Sequence, residues 1–254
     1  MRIFYSDLDN TLIYSYKHEI GRARRCAEIY QGREISFMTE KTHRLLCRIE
    51  QLVRIVPVTT RTKEQYDRID LGIEKPPCAL VCNGGVLLLE NGKEDASWYE
   101  ESLRLVSPCQ SQLAYGETLL TRDPNRCFEV RNIRSLFLFT KSKHPPETLK
   151  YLEAALDPAL VNLFSNGIKI YIVPKPLTKG TAIQRFGKRI NPDYTISAGD
   201  SEFDIPMFRQ TDLALAPKEL KSRAGSAPNI IYMQGSQPFS EQLLTYIKDV
   251  LSTS

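Results

Sequence analysis

Two carboxylates stand two residues apart in Asp7-Leu8-Asp9-Asn10-Thr11, directly after a β-prone run over residues 2–6. At a strand end both can face one cleft, where one acts as nucleophile and the other handles protons. The bland alternative is a solvated Asp/Asn turn. Thr59-Thr60-Arg61 ends a second apolar run over residues 54–58. Its hydroxyl and backbone N–H groups suit a phosphoryl oxygen, or simply cap a helix. Lys179, beside Gly180 at the start of an apolar-periodic stretch, combines a cation with a helix N-terminus and so suits an oxyanion. Read alone, it is as well an exposed lysine. Gly199-Asp200, with Asp204 four residues later, offers hard oxygen donors of the kind Mg²⁺ takes, or a Gly-Asp turn with a capping aspartate.

The elements around these groups place them at strand ends. Leu45, Leu46, Ile49, Leu52 and Val53 recur at helical spacing over residues 39–53, with Thr39 as N-cap. Thr62-Lys63-Glu64-Gln65 fits a capping box opening the next helix. A third strand is predicted from Cys78 to Cys82, stopped by Asn83-Gly84-Gly85. Later, Ala182, Ile183, Phe186 and Ile190 mark a helix, and residues 194–198, 212–216 and 229–232 read as strands before a terminal helix over 241–251. Alternating strands and helices argue for a parallel sheet with crossover helices, and in open sheets of this kind ligands gather outside the carboxyl ends of the strands.

The rhythm changes after Gly85. Val86 to Glu90 with Asn91-Gly92 reads as a hairpin, residues 128–140 as a strand, Pro145 to Leu156 as a helix and Ile168 to Val173 as a strand. The expected organisation is α/β: a doubly wound, Rossmann-like parallel-sheet core over residues 1–85 and 166–254, with an inserted α/β cap over 86–165.

Taken in order, Asp7, Asp9, Thr59, Lys179, Asp200 and Asp204 resemble the four motifs of the haloacid dehalogenase superfamily: Asp-x-Asp-x-Thr, a Ser/Thr after the second strand, a Lys at a helix start, and Gly-Asp-x-x-x-Asp. The resemblance spans about residues 1–85 and 170–235. An insertion between the second and third motifs is similar to the Cof-type branch with the larger α/β cap, which includes sucrose-phosphate, mannosyl-3-phosphoglycerate and trehalose-phosphate phosphatases and the phosphomannomutases. Thr60 departs from the Thr-Gly-Arg of many members. The resemblance implies a Mg²⁺-dependent phosphatase acting on a small phosphorylated metabolite, a sugar phosphate or related phosphoester. Asp7 would be the nucleophile and Asp9 the acid and base, while Thr59 and Lys179 bind the substrate phosphate. Mg²⁺ would be held by the Asp7 side chain, the Asp9 main-chain carbonyl and Asp200, with Asp204 a further ligand or an orienting group. A phosphomannomutase-like phosphosugar mutase is the enzymatic alternative, and a catalytically silent binding protein on the same scaffold is the other.

Composition agrees with an enzyme of this kind. Of the 254 residues, 42% are hydrophobic and 25% charged, values of a folded globular chain. No apolar run reaches the length of a membrane span, and the residues after Met1 turn acidic too soon for a signal peptide, so a cytoplasmic location is expected. The net charge is only +4 and no block of like charge occurs, so nothing favours nucleic acid. Six scattered cysteines, with no Cys-x-x-Cys, read as reduced packed thiols. In the cap, residues 122–150 carry seven basic residues against three acidic ones. They suit a second anionic group on the substrate or form a solvated face, and Asn166-Gly167 and Lys169 close the segment.

Overall fold

In a computed structural model of the chain, which describes residues 1–74, 76 and 78–252, the first apolar run forms β1 (Arg2–Ser6), with Ile3, Phe4 and Tyr5 buried. Next come β2 (Tyr14–Ser15), β3 (Arg24–Tyr30) and β4 (Arg33–Thr39), an antiparallel sheet in the order β2-β4-β3. Helix α1 (Glu40–Ile49) starts where the Thr39 hydroxyl accepts the Thr42 N–H at 3.0 Å, and it buries Leu45, Leu46 and Ile49. It ends four residues earlier than its periodicity suggested. Strand β5 (Arg54–Pro57), the one-turn α2 (Lys63–Tyr66), β6 (Ala79–Val81) and β7 (Val86–Leu88) complete the first stretch. The Gln65 side chain accepts the Thr62 N–H at 3.0 Å, as a capping residue should.

The middle of the chain folds as α3 (Ala96–Val106), α4 (Gln110–Arg122), β8 (Arg131–Ile133), β9 (Phe137–Lys141), α5 (Pro145–Glu153), β10 (Val161–Asn166) and β11 (Lys169–Pro174). Then follow α6 (Lys179–Ile190), β12 (Tyr194–Ala198), the one-turn α7 (Ile205–Phe208), β13 (Leu213–Pro217), the one-turn α8 (Lys221–Ala224), β14 (Ile230–Met233) and α9 (Phe239–Ser252).

Five strands form one parallel sheet in the order β14-β13-β12-β1-β5, the doubly wound core expected of the strand–helix alternation. Each parallel step needs a crossover connection, and helices supply most of them. The order reverses beside β1, which lies between β5 and β12, so a crevice opens at its carboxyl end. Strand β6 meets this sheet through a single parallel bridge between Val58 and Leu80 and otherwise pairs antiparallel with β7. The hairpin therefore turns at Cys82-Asn83-Gly84, all at positive φ (52°, 57° and 85°). The expected turn at Asn91-Gly92 is a second, shorter one: Gly92 N–H donates to the Leu89 carbonyl at 2.7 Å, Leu89 N–H to the Lys93 carbonyl at 2.8 Å, and one antiparallel bridge joins Leu88 to Glu94.

Two compact units separate: Met1–Glu94 with Thr178–Ser254, and Asp95–Leu177. The divisions fall later than the expected 85/86 and 165/166. The reason is pairing: β7 is bonded to β6 of the first unit, and β11 to β9 and β10 of the second. The second unit is an antiparallel sheet, β10-β11-β9-β8, whose Leu138, Val161, Ile170 and Ile172 pack with Leu113, Leu119, Leu120, Leu152 and Leu156 of the helical segments. Residues 128–140 are not one strand. Arg134 and Ser135 both take left-handed backbone (φ 55° and 58°) and, with Leu136, turn β8 into β9, a three-residue hairpin loop without the usual glycine. Among the described residues, no helix is long and apolar enough to cross a membrane.

Candidate active site

Strand β1 delivers Asp7 to the edge of the sheet, where the Asp7 N–H donates to the Ala198 carbonyl at 2.9 Å and extends the ladder to β12 by one residue. The chain then reverses sharply: Leu12 and Ile13 donate to the Leu8 carbonyl at 2.9 Å, and Asn10 takes left-handed backbone (φ 58°). The Asn10 side chain reaches Asp200, at the end of β12. Thr11, fully buried, turns its hydroxyl toward Asp7 Oδ2 at 3.4 Å.

Lys179 is the first residue of α6, whose cap is the Thr178 hydroxyl, accepting from the Thr181 N–H at 3.0 Å. It is not an exposed lysine. Only 1% of it is accessible, and its Nζ donates to Asp7 Oδ1 and to Asp204 Oδ1, both at 2.6 Å. Burial alone would lower its pKa, but Asp204 and Asp7 hold it above the ordinary lysine value. Asp204 is fully buried, and its second oxygen accepts from Ser201 N–H (3.0 Å) and Ser201 O–H (2.9 Å). The two glycines of the motifs are accounted for by space. A Cβ on Gly199 would lie 2.2 Å from Asp204 Cγ, and one on Gly180 would lie 2.3 Å from the Pro206 carbonyl oxygen.

Asp200 completes the group: carboxylate oxygens of Asp7, Asp200 and Asp204 all lie within 4.8 Å of one another. Crowding is visible in their acidity. Burial raises Asp7 well above the carboxylate range, with Lys179 opposing and Asp204 and Asp200 adding to the rise. Burial, then Asp204, pushes Asp200 up to about 7. Thr59 stands on the neighbouring strand end. Its N–H donates to the Leu80 carbonyl at 2.9 Å, and its hydroxyl accepts the Arg61 N–H at 3.2 Å, within its own turn.

Asp9 is held by a different cation. Arg61 grips it with two parallel bonds, Nε to Oδ2 and Nη2 to Oδ1, each 2.8 Å. The same guanidinium bonds Glu28 on β3, at 2.9 Å from Nη1 and 3.0 Å from Nη2. Glu28 is buried and also accepts from Ser36 Oγ at 2.8 Å and Arg68 Nε at 3.0 Å. Burial would raise its pKa, yet Arg61, Ser36 and Arg68 together hold it below the ordinary value. Glu28 and Arg68 carry no signal in the sequence, and Arg61, though part of the Thr59-Thr60-Arg61 run, has no role there. The Glu28 partner of Arg61 lies 33 positions away on a strand without clear alternation.

Several basic residues in the second unit have local partners. Arg131 pairs with Glu129 and lies over Phe128, Lys141 shares that ring, Arg134 lies over Tyr99, and Arg126 donates to the Phe128 carbonyl. These four have partners within their own unit.

A parallel sheet that gathers aspartates and a buried lysine at its carboxyl edge places the chain among α/β proteins built to hold a charged ligand at a switch point. A family model described as haloacid dehalogenase-like hydrolase matches residues 71–227, and the chain belongs to that family. The match contains Lys179, Asp200 and Asp204. Asp7, Asp9 and Thr59 precede it in sequence and join it through the fold. Solved structures with the same fold include the sucrose-phosphatase of Synechocystis sp. PCC6803 in complex with sucrose and phosphate, at 18% identity and TM-score 0.67 over 99% of both chains. A haloacid dehalogenase-like hydrolase from B. subtilis follows at 13% identity and 0.61, over 98% of this chain and 99% of that one. A trehalose-6-phosphate phosphatase related protein reaches 14% identity and 0.55, over 99% of both chains. No curated protein matches the sequence.

Proposed function

We propose that the protein is a Mg²⁺-dependent phosphatase of the cytoplasm that hydrolyses a small phosphorylated metabolite, a sugar phosphate or related phosphoester, through a phosphoaspartyl intermediate on Asp7. The observation that carries this reading is Lys179 Nζ held 2.6 Å from both Asp7 and Asp204, with Asp200 alongside. Such a group offers a nucleophilic carboxylate, a fixed cation for phosphoryl oxygens and spare carboxylates for a metal. The sucrose-phosphatase fold and the six free cysteines are consistent with it.

The donor set fits Mg²⁺. Three hard carboxylates within 4.8 Å face one lysine, and their mutual repulsion is what a divalent cation relieves. Asp7 and Asp200 side chains and the Asp9 main-chain carbonyl would hold it. Asp204, with one oxygen on Lys179 and the other on Ser201, orients the lysine instead. When bound, the ion supplies positive charge beside the phosphoryl oxygens.

The chain's own residues supply the rest. Lys179 fixes Asp7 Oδ1, which aims Oδ2 at phosphorus. Thr59 and Lys179 take phosphoryl oxygens, and Asp9 protonates the departing oxygen and later takes a proton from the attacking water. The inserted unit is assigned substrate choice. The test is phosphate release with Mg²⁺ across a panel of phosphorylated sugars and related esters, beside Asp7→Asn. Turnover that vanishes in the variant is expected. Turnover surviving in it, or a parent protein active only with an added sugar bisphosphate, would overturn the reading.

A further inference from the structure

Between β6 and β7, Cys82, Asn83 and Gly84 take left-handed backbone one after another. Glycine and asparagine accept such angles readily, but a cysteine holds one only where its surroundings impose it. Cys82 and Asn83 are both buried, at 1% and 3% exposure. Strained backbone of this kind gathers where a fold fixes something in place, and the turn has a neighbour on each side.

On one side lies the Thr59 loop. In an extended strand successive N–H groups point to opposite edges, whereas left-handed backbone turns those of Cys82 and Asn83 toward the same neighbour. Cys82 N–H donates to the Arg61 carbonyl at 2.7 Å, and Asn83 N–H donates to the Thr59 carbonyl at 2.8 Å. The Thr59 N–H in turn reaches the Leu80 carbonyl at 2.9 Å, so Thr59 is tied to this segment through both of its backbone groups. On the other side lies α6. A Cβ on Gly84 would stand 2.2 Å from Ala182 Cβ and 3.8 Å from the carbonyl oxygen of Thr178, the residue that caps the helix. Ala182 follows Lys179 by three positions, so the two are neighbours on the helix surface.

We propose that Gly84 is a positioning residue: the turn it closes sets Thr59 and Lys179 at one separation, so that both reach the same phosphoryl group. This rests on the phosphatase reading, in which those two side chains take phosphoryl oxygens. An alanine at position 84 would bring two β-carbons about 1.3 Å inside an ordinary contact of about 3.5 Å. Ala182 has no rotamer with which to yield. Either α6 retreats, and Lys179 leaves its 2.6 Å bonds to Asp7 and Asp204, or the turn retreats and draws Thr59 with it. The separation changes in both cases.

Relieving the contact from the helix side distinguishes positioning from stability alone. With Mg²⁺ present, kcat/KM on p-nitrophenyl phosphate is measured for the parent, Gly84→Ala, Ala182→Val, and Gly84→Ala combined with Ala182→Gly. Circular dichroism establishes folding. A loss of about 10- to 100-fold is expected in the two crowded variants. The combined variant should recover to within about threefold of the parent, although left-handed alanine and a helical glycine keep its urea midpoint below the parent's. Ala182→Val leaves the turn's backbone alone and carries the test should Gly84→Ala not fold. Parental kcat/KM in a folded crowded variant, or a combined variant no better than Gly84→Ala, would overturn the proposal. A second measurement needs no turnover. Lys179→Met, without divalent cation, lowers the parent's urea midpoint, and in the crowded variants that drop should shrink by at least about half. Equal drops would overturn the proposal and leave the phosphatase reading intact, whereas a parent inactive on every ester of the panel would overturn that reading and the phosphoryl role with it.

Discussion

Replacing Gly199 by alanine is a one-carbon change whose effect follows from distances. Gly199 is not in the left-handed region of backbone space, so alanine is compatible with its backbone and only room is at issue. The added Cβ would lie 2.2 Å from Asp204 Cγ and 2.5 Å from its Oδ2. Ordinary carbon contacts begin near about 3.5 Å, so Asp204 must retreat by about 1.3 Å. Fully buried, it has no solvent to retreat into. A displacement of that size stretches the 2.6 Å bond from Lys179 toward about 3.9 Å, beyond hydrogen-bonding distance. Lys179 then keeps one of its two carboxylates, and the nucleophile is held by a cation no longer fixed. Turnover number is expected to fall about 100-fold, and urea unfolding should show a loss of about 1–3 kcal/mol from a buried charged group left short of its partner. Gly225→Ala is the control. Its φ of +80° strains alanine, costing about 1 kcal/mol, but no heavy atom lies within 4 Å and activity should not change. A Gly199→Ala protein with parental turnover and stability would refute the packing account of the Gly-Asp motif.

Two further outcomes are expected. Lys179→Met should unfold at lower urea by about 3–5 kcal/mol when no divalent cation is present, since two buried carboxylates lose their shared cation; an unchanged midpoint would contradict the burial of that charge. Glu28 has its pKa held low in the folded state. It therefore stabilises the fold above the ordinary glutamate value of about 4.3, a contribution lost as pH falls through the folded-state value. Glu28→Gln should accordingly be less stable than the parent at neutral pH, and the gap should narrow in acid. Parallel stability–pH curves for the two proteins would count against that.

Local signals made much of the core legible. Apolar runs broken by Asp7, Thr59 and Gly199-Asp200 sit on adjacent parallel strands, and the cap at Thr178 starts the helix that carries Lys179. What stayed hidden depends on long-range pairing or unusual turns. The sheet of β2, β3 and β4 lies in a segment rich in arginine, without the alternation that marks a strand, and its bulge around Glu28 breaks the pattern further. The turn at Arg134-Ser135 lacks the glycine that announces a hairpin, so two strands read as one. Helix α4 carries a glycine, Gly116, close against Ile172, so its apolar face is partly blank in the sequence. The burial of Lys179 was invisible for a simpler reason: its counter-charge Asp7 lies 172 positions away.

That separation has a consequence for how the molecule comes to exist. Strand β1 is synthesised well before its neighbour β12, which follows nearly two hundred residues later, with the whole Asp95–Leu177 unit made in between. That unit has its own sheet and core and can condense while the chain is still growing. Until residues 178–204 appear, the segment bearing Asp7 has neither its central sheet partner nor the lysine that makes its burial tolerable. Closing such a long span is slow because the entropy must be lost before any contact rewards it. The reactive aspartate is thus completed late, and a chain arrested before α6 would have no assembled centre at all.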